Sequence, residues 1–195
     1  MSQDDTTLLG LLAQGPEQHF HHLVAAYQHR LYAFALRYVG NTHDAEDLVQ
    51  EALLQAYFAL ACYPAERIQT LLLKPWLFRI LLNLFYRRKR DQQLPLTPLD
   101  LDEEGSHLNI EDNSADQPDQ VVVRQEARRE IAACIHLLPE RYRAAINLYY
   151  FEELTQQEIA RLLQLPLGTV KSLIYRGTIL LRDSLQSYKM KPQHI

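Results

Sequence analysis

The chemistry-bearing residues of this chain fall into three groups. The densest is the passage from Leu154 to Arg176, LTQQEIARLLQLPLGTVKSLIYR. Thr155 and Glu158 have the Thr-x-x-Glu spacing of a capping box, which starts a helix through the apolar residues Ile159, Ala160 and Leu163. Leu165 anchors a turn, Pro166 limits continuation of the first helix, and Val170 and Ile174 give the next helix an inner face. Ala160 is small where the two helices must cross. These are the spacings of a helix-turn-helix, in which the early exposed residues of the second helix enter the major groove. Here those residues are Thr169, Lys171, Ser172, Tyr175 and Arg176. Their hydroxyls, cations and aromatic ring suit base edges and phosphates. A plain helical hairpin with surface charges needs no such agreement of cap, turn and polar face.

The second group is basic: Arg79, Asn83, Arg87, Arg88, Lys89 and Arg90 lie along one candidate helix. Cations at a helix end complement its dipole, but four in succession exceed that need and supply the salt-dependent attraction that dominates affinity for nucleic acid. The third group is acidic and amide-bearing. Asp47, Gln50 and Glu51 occupy positions i, i+3 and i+4, one helical face opposite the Leu48/Ala52 stripe. Such a face receives arginines from a partner helix through charge-assisted bonds, or is simply solvated.

Other candidates are weaker. His19, His21, His22 and His29 suggest a metal, yet no thiolate or carboxylate completes a ligand set, so they are expected at the surface. Cys62 and Cys134 have no CxxC partner and are expected as core thiols in a reduced environment. Trp76 and Phe78 have the shape of base-stacking platforms, but Trp76 shares a face with Ile80 and is assigned to the core. No nucleophile–base pair, phosphate loop or HExxH motif occurs.

Helices must position these groups. Phe20, Leu23, Val24, Tyr27, Leu31, Phe34, Ala35 and Tyr38 form a helical stripe from Pro16 that stops at Gly40-Asn41. A second helix starts at Thr42 with Ala45, Leu48, Val49, Ala52, Leu53, Ala56, Tyr57 and Leu60, and Pro64 stops it. Pro75 opens a third, through Trp76, Leu77, Ile80, Leu81, Leu84 and Phe85 into the basic run. A short helix is expected near Thr6–Ala13, and an irregular stretch before Pro75. Helical pattern resumes from Val121 to Leu138, and Pro139 opens a further helix through Ala144, Ala145, Leu148 and Tyr149. No strand-like alternation is sustained.

The chain has 195 residues, 47% of them apolar, with 6 glycines, a balance that excludes collagen-like and wholly disordered classes. Its net charge of −4 is unevenly placed. Residues 91–120 contain 9 acids and no Lys or Arg, whereas residues 121–195 hold 11 basic and 7 acidic residues. The one-signed middle segment cannot bury enough apolar surface to offset its ordering and is expected as a tether. Two helical modules on an acidic cord follow. The acidic start lacks a secretory n-region, and the apolar run Leu71–Tyr86 is broken by Lys74, Pro75 and Arg79, so a cytoplasmic protein without membrane insertion is expected.

The stretch LPLGTVKS with Tyr175-Arg176 resembles region 4 of bacterial sigma factors, especially the extracytoplasmic-function group. DAEDLVQE (44–51) is similar to region 2.2 of that family, and WLFRILLN (76–83) to regions 2.3 and 2.4. Three motifs in the family's order are far more specific than one. The resemblance implies an all-α protein of two domains: region 2 at 1–90, an acidic linker at 91–120 and region 4 at 121–188. It implies no enzyme and no cofactor, since RNA polymerase performs the chemistry and holds the metal. Asp47, Gln50 and Glu51 would meet the clamp helices of the polymerase β′ subunit, and region 4 its β flap. Arg79, Asn83, Arg87, Arg88, Lys89 and Arg90 would hold the opened minus-10 element, one base extruded. Thr169, Lys171, Ser172, Tyr175 and Arg176 would read the minus-35 element. An anti-sigma factor is a further candidate partner. Asp100, Asp102, Glu103 and Glu104 would thread the basic polymerase channel, or serve only as spacer.

The chain departs from the family pattern in the long Pro64–Lys74 loop with Leu71-Leu72-Leu73. It departs again at Leu173, Thr178 and Ile179, where basic residues are common, and at Gln164, where a glycine is usual in the turn. A stand-alone helix-turn-helix regulator would need neither Asp44–Glu51 nor Trp76–Asn83. A helical protein-binding adaptor would show no dependence of DNA binding on Lys171 and Arg176.

Overall fold

The computed structural model describes residues 3–92 and 131–189, and every regular element among them is helical. They are α1 (Gln3–Gln14), α2 (Pro16–Val39), α3 (Thr42–Ala61), α4 (Ala65–Gln69) and α5 (Leu73–Gln92). Then come α6, whose described part is 131–136, α7 (Glu140–Tyr150), α8 (Gln156–Leu163) and α9 (Leu167–Lys189). The acidic tether with Asp100, Asp102, Glu103 and Glu104, and the helical pattern expected from Val121 to Glu130, lie outside the described residues.

Two compact units form. Among the described residues, the first comprises 3–35 and 43–92, the second 36–42 and 131–189. In the first, the stripes anticipated for α2 and α3 face inward. Leu23, Tyr27, Leu31, Phe34 and Ala35 are buried, as are Ala45, Leu48, Val49, Ala52, Ala56 and Leu60. Phe20 and Val24 of α2 and Leu53 and Tyr57 of α3 are only half-buried, at the margins of the stripes. Gly40 ends α2 with φ +90°, a left-handed geometry open to glycine and strained for other residues.

α5 starts two residues before Pro75, whose missing N–H falls in the first turn, where it would have no intrahelical partner. The face it buries differs from the expected one. Leu73, Leu77, Phe78, Leu81, Leu82 and Leu84 form it, and Phe78 meets Phe34 at a ring-centroid distance of 4.9 Å. Trp76 is therefore only half-buried, and Phe78, the other stacking candidate, is core. The stretch expected to be irregular contains α4, which buries Ile68 and packs against α1; Tyr27 Oη donates to Asp5 Oδ1 at 2.6 Å, tying α1 to α2. Cys134 is buried as expected, but Cys62 lies just past the end of α3 and is exposed.

The second unit packs α9 on α7 and α8, with Ile135, Leu138, Ala145, Ile146, Leu148, Ile159, Val170 and Ile174 in its core. The crossing of α9 over α7 is close at Gly177, where an added Cβ would stand 2.6 Å from Ile146 Cγ1. Buried polar groups accompany this core. Arg37 donates from Nε to Asn147 Oδ1 at 2.7 Å and from Nη2 to Glu152 Oε1 at 3.1 Å. Its guanidinium also lies 4.3 Å from the Phe151 ring centroid, and Asn147 and Glu152 are buried. Burial pushes the Arg37 pKa down to about 10 against the opposing pull of Glu152. Arg143 donates to the carbonyls of Tyr38 (2.6 Å), Leu138 (3.1 Å) and His136, tying down the turn between α6 and α7.

Candidate functional site

The helix-turn-helix is α8 and α9. Thr155 caps α8: its Oγ1 accepts from the Glu158 N–H at 3.2 Å, while Glu158 Oε2 accepts from the Thr155 N–H at 2.8 Å. This is the capping box expected from the sequence. The buried residues of α8 are Ile159 and Leu162, whereas Ala160 and Leu163, expected to be inward, are half-buried. Gln164, where a glycine is usual, ends α8 at φ 56°, ψ 41°, a left-handed residue with a Cβ. The Leu165 N–H closes the turn onto the Ala160 carbonyl at 3.0 Å. The Pro166 carbonyl then accepts from the Thr169 and Val170 N–H groups at 2.9 and 3.1 Å, opening α9.

That entry fixes the rotation of α9. Val170, Ile174 and Gly177 face inward, and Thr169, Lys171, Ser172, Tyr175 and Arg176 are all exposed, Tyr175 at 70%. Two donors with cationic heads, two hydroxyls and an amphipathic ring thus share an outward surface on a rigid helix. Thr178 has a packing role: its Oγ1 donates to the Ile174 carbonyl at 2.7 Å and lies 3.1 Å from the Tyr150 hydroxyl of α7.

In the first unit, Arg79, Asn83, Arg87 and Arg90 recur every three or four residues along α5 and are exposed, while Arg88 and Lys89 are half-buried. Asp47 and Gln50 are exposed on α3, and Asp47 Oδ2 lies 3.4 Å from His43 Nδ1 one turn earlier. Glu51 is placed differently. Arg88 reaches its Oε2 from Nη2 at 2.7 Å and from Nε at 3.1 Å, and Arg87 Nη2 bonds Oε1. Arg88 Nη2 also donates to the Asp47 carbonyl at 3.3 Å. The structure therefore joins residues of the acidic and basic groups that sequence treated as separate.

Two features were missed. Leu54 and Phe58, 58% and 63% exposed, continue the Asp47/Glu51 line down α3 at helical spacing. They were hidden because the α3 stripe is wide and apolar residues flank it on both sides. Tyr63, after α3, carries the Arg67 guanidinium 3.7 Å above its ring and faces Trp76 at 6.2 Å. This guanidinium–aromatic shelf borders the start of α5 and offers flat faces to a planar ligand. Tyr63 belongs to no periodic stripe, so only the fold brings it to Trp76. Among the described residues, no group of three or more His, Cys, Asp or Glu is placed to hold a metal ion, and no helix is long and apolar enough to cross a membrane.

Comparison with known proteins matches the family model for Sigma-70 region 2 over residues 23–94 and that for Sigma-70, region 4, over residues 128–178. The chain is 34% identical over 177 residues to the ECF RNA polymerase sigma factor SigW of Bacillus subtilis, covering 89% of this chain and 92% of that one. It is 31% identical over 190 residues to the RNA polymerase sigma-H factor of Pseudomonas aeruginosa, covering 94% and 95%. Among solved structures, CnrH in complex with the cytosolic domain of CnrY shares the fold at TM-score 0.62 and 24% identity, over 95% of this chain and 99% of that one. The sigma factor RpoE of Bartonella quintana, in complex with the anti-sigma factor NepR, does so at TM-score 0.61 and 22% identity, over 86% and 96%.

Proposed function

Since the chain belongs to the extracytoplasmic-function sigma factors and directs promoter-specific transcription initiation, we propose a division of that task among its surfaces. The carrying observation is the outward face of α9, where Thr169, Lys171, Ser172, Tyr175 and Arg176 are exposed together. On it, region 4 (121–188) reads the duplex minus-35 element through the major groove. In region 2 (1–90), the exposed row Arg79, Asn83, Arg87 and Arg90, flanked by Arg88 and Lys89, holds the phosphates of the opened minus-10 element. The Tyr63/Arg67/Trp76 shelf stacks an extruded base, recovering part of the unstacking cost of a few kcal/mol.

Polymerase docking falls to α3. Asp47, Gln50 and Glu51 meet arginines of the β′ clamp helices, and Leu54 and Phe58 add apolar area along the same line. The chain itself carries out no bond-making step; the polymerase does. Its place of action is the cytoplasm, with region 4 against the β flap, the acidic linker (91–120) between the regions, and an anti-sigma factor as regulator. The sigma structures similar in fold include one bound to an anti-sigma factor, which supports that last assignment by analogy.

Run-off transcription from a cognate promoter by bacterial core polymerase, with and without the protein, tests this reading. Product should require the protein. It should fall when Asp47 and Glu51 are both replaced by Arg in a variant of unchanged helicity, because like charges would then face the polymerase arginines. Transcription unaffected by that variant would refute the docking assignment.

A further inference from the structure

Glu51 occupies a position where two proposed surfaces compete for one carboxylate. Both of its oxygens are engaged: Oε2 by Arg88 Nη2 and Nε at 2.7 and 3.1 Å, and Oε1 by Arg87 Nη2. The same arginines belong to the row assigned to minus-10 phosphates. The pairs are accessible, the Arg87, Arg88 and Glu51 side chains retaining 47%, 35% and 30% exposure, so partners can exchange without unfolding the bundle. A carboxylate and a phosphate oxygen ask the same of a guanidinium, and a planar fork satisfied by one is withdrawn from the other.

We propose that Glu51 is a positioning residue for the minus-10 contact: it masks Arg87 and Arg88 in the polymerase-free protein and releases them when polymerase arginines take its carboxylate. The inference rests on the division of surfaces proposed above. Docking and DNA binding are then linked through a single side chain. Whatever factor polymerase adds to DNA affinity by drawing Glu51 away, DNA adds to polymerase affinity. Glu46, five residues earlier on α3 and exposed, acts electrostatically on Tyr32 and supplies a charge-matched control.

The test measures binding of the full chain, without polymerase, to a mixed-sequence single-stranded DNA oligonucleotide across a salt series. Glu51→Gln should tighten binding about three- to tenfold at low salt, the scale of two partly exposed ion pairs released. It should also steepen the dependence of log K on log salt by about 0.7 for each arginine freed. A merely structural tie between α3 and α5 would change thermal stability and leave that slope alone. Glu46→Gln should leave slope and affinity near wild type; an equal gain there would reduce the effect to net charge and overturn the proposal, as would an unchanged slope in Glu51→Gln. The underlying division of surfaces is checked separately by Arg87→Ala with Arg88→Ala in run-off transcription. Loss of product there with a silent Glu51→Gln sinks only the masking role, whereas wild-type product sinks the minus-10 assignment and the masking role with it.

Discussion

Replacing Gly177 by Ala should destabilise the second unit, although Ala is the better helix former. The opposing terms can be set against each other. In a helix interior, Gly→Ala gains about 0.8–1.0 kcal/mol of propensity. The new Cβ would stand 2.6 Å from Ile146 Cγ1, 2.9 Å from its Cδ1 and 3.3 Å from Tyr142 Cβ. Comfortable carbon contacts lie at about 3.5–4.0 Å, so α7 and α9 must part by most of an ångström. Ile146 is fully buried on α7, and a β-branched residue in a helix has essentially one χ1 well, so Cγ1 cannot swing aside. Overpacking of this kind costs about 1–3 kcal/mol, and with an immobile neighbour the upper half of that range applies. The net expectation is a loss of about 1–2 kcal/mol. Hydrogen exchange of α7 and α9 amides across a urea series isolates this unit from the other. Gly10→Ala, in mid-α1 with nothing within 4 Å of its added Cβ, is the internal control and should stabilise the first unit by about 0.5–1 kcal/mol. Ile146→Ala in the Gly177→Ala background should show a favourable coupling of about 1–2 kcal/mol, since it removes the atom that is struck. Gly177→Ala that matches or exceeds wild-type stability would refute the close crossing.

Gln164→Gly should stabilise the second unit by up to about 1 kcal/mol, the relief of a left-handed Cβ less the added chain entropy of glycine, measurable as a raised urea midpoint. His136 gives that unit an acid sensitivity. Burial first and the Arg143 charge second hold its pKa below 6.5, against a hydrogen bond to the Tyr38 backbone. Its share of stability is full above that unfolded value and is lost as pH falls through the lowered folded value, because the unfolded chain binds a proton the native one resists. His136→Gln should flatten the fall in urea midpoint between about pH 7.5 and 5.5; an unaltered slope would count against it. Lys171→Ala and Arg176→Ala should weaken promoters that depend on the upstream element more than those with an extended minus-10 sequence. A base-edge contact costs about 1–3 kcal/mol at one position, whereas a phosphate contact lowers affinity uniformly and flattens the salt slope. No effect at any promoter would remove α9 from the recognition role.

Long amphipathic elements were legible because period and stop signals coincide. The α2 stripe ends at Gly40, whose left-handed φ is the stop, and α8 begins at the expected capping box. The outward set on α9 could be named because Val170 and Ile174 fix its rotation. Residues whose environment is tertiary were not legible. Trp76 and Phe78 are both aromatic and two apart, and only the packing of α5 against Phe34 decides that Phe78 is core. α4 is too short for periodicity to reveal. Gly177 carries no local signal, since its reason is a side chain far away in sequence on α7. Glu51 was assigned to a face by its own helix, and its engagement by Arg87 and Arg88 depends on how α3 and α5 meet.

Half-buried Arg37, with buried Asn147 and Glu152, constrains how this chain can change over time. Removing either charged member takes from the other the ionic contact at 3.1 Å, and breaking a buried pair in this one-sided way costs about 3–5 kcal/mol. Replacing the pair together by apolar residues of similar volume is often neutral or favourable. Each single step is therefore steeply uphill, and an apolar exchange at 37 and 152 alone still takes the Arg37 donor from buried Asn147. Positions 37, 147 and 152 should accordingly exchange as a set among descendants of this sequence: polar residues at all three, or apolar residues at all three, with mixed combinations rare.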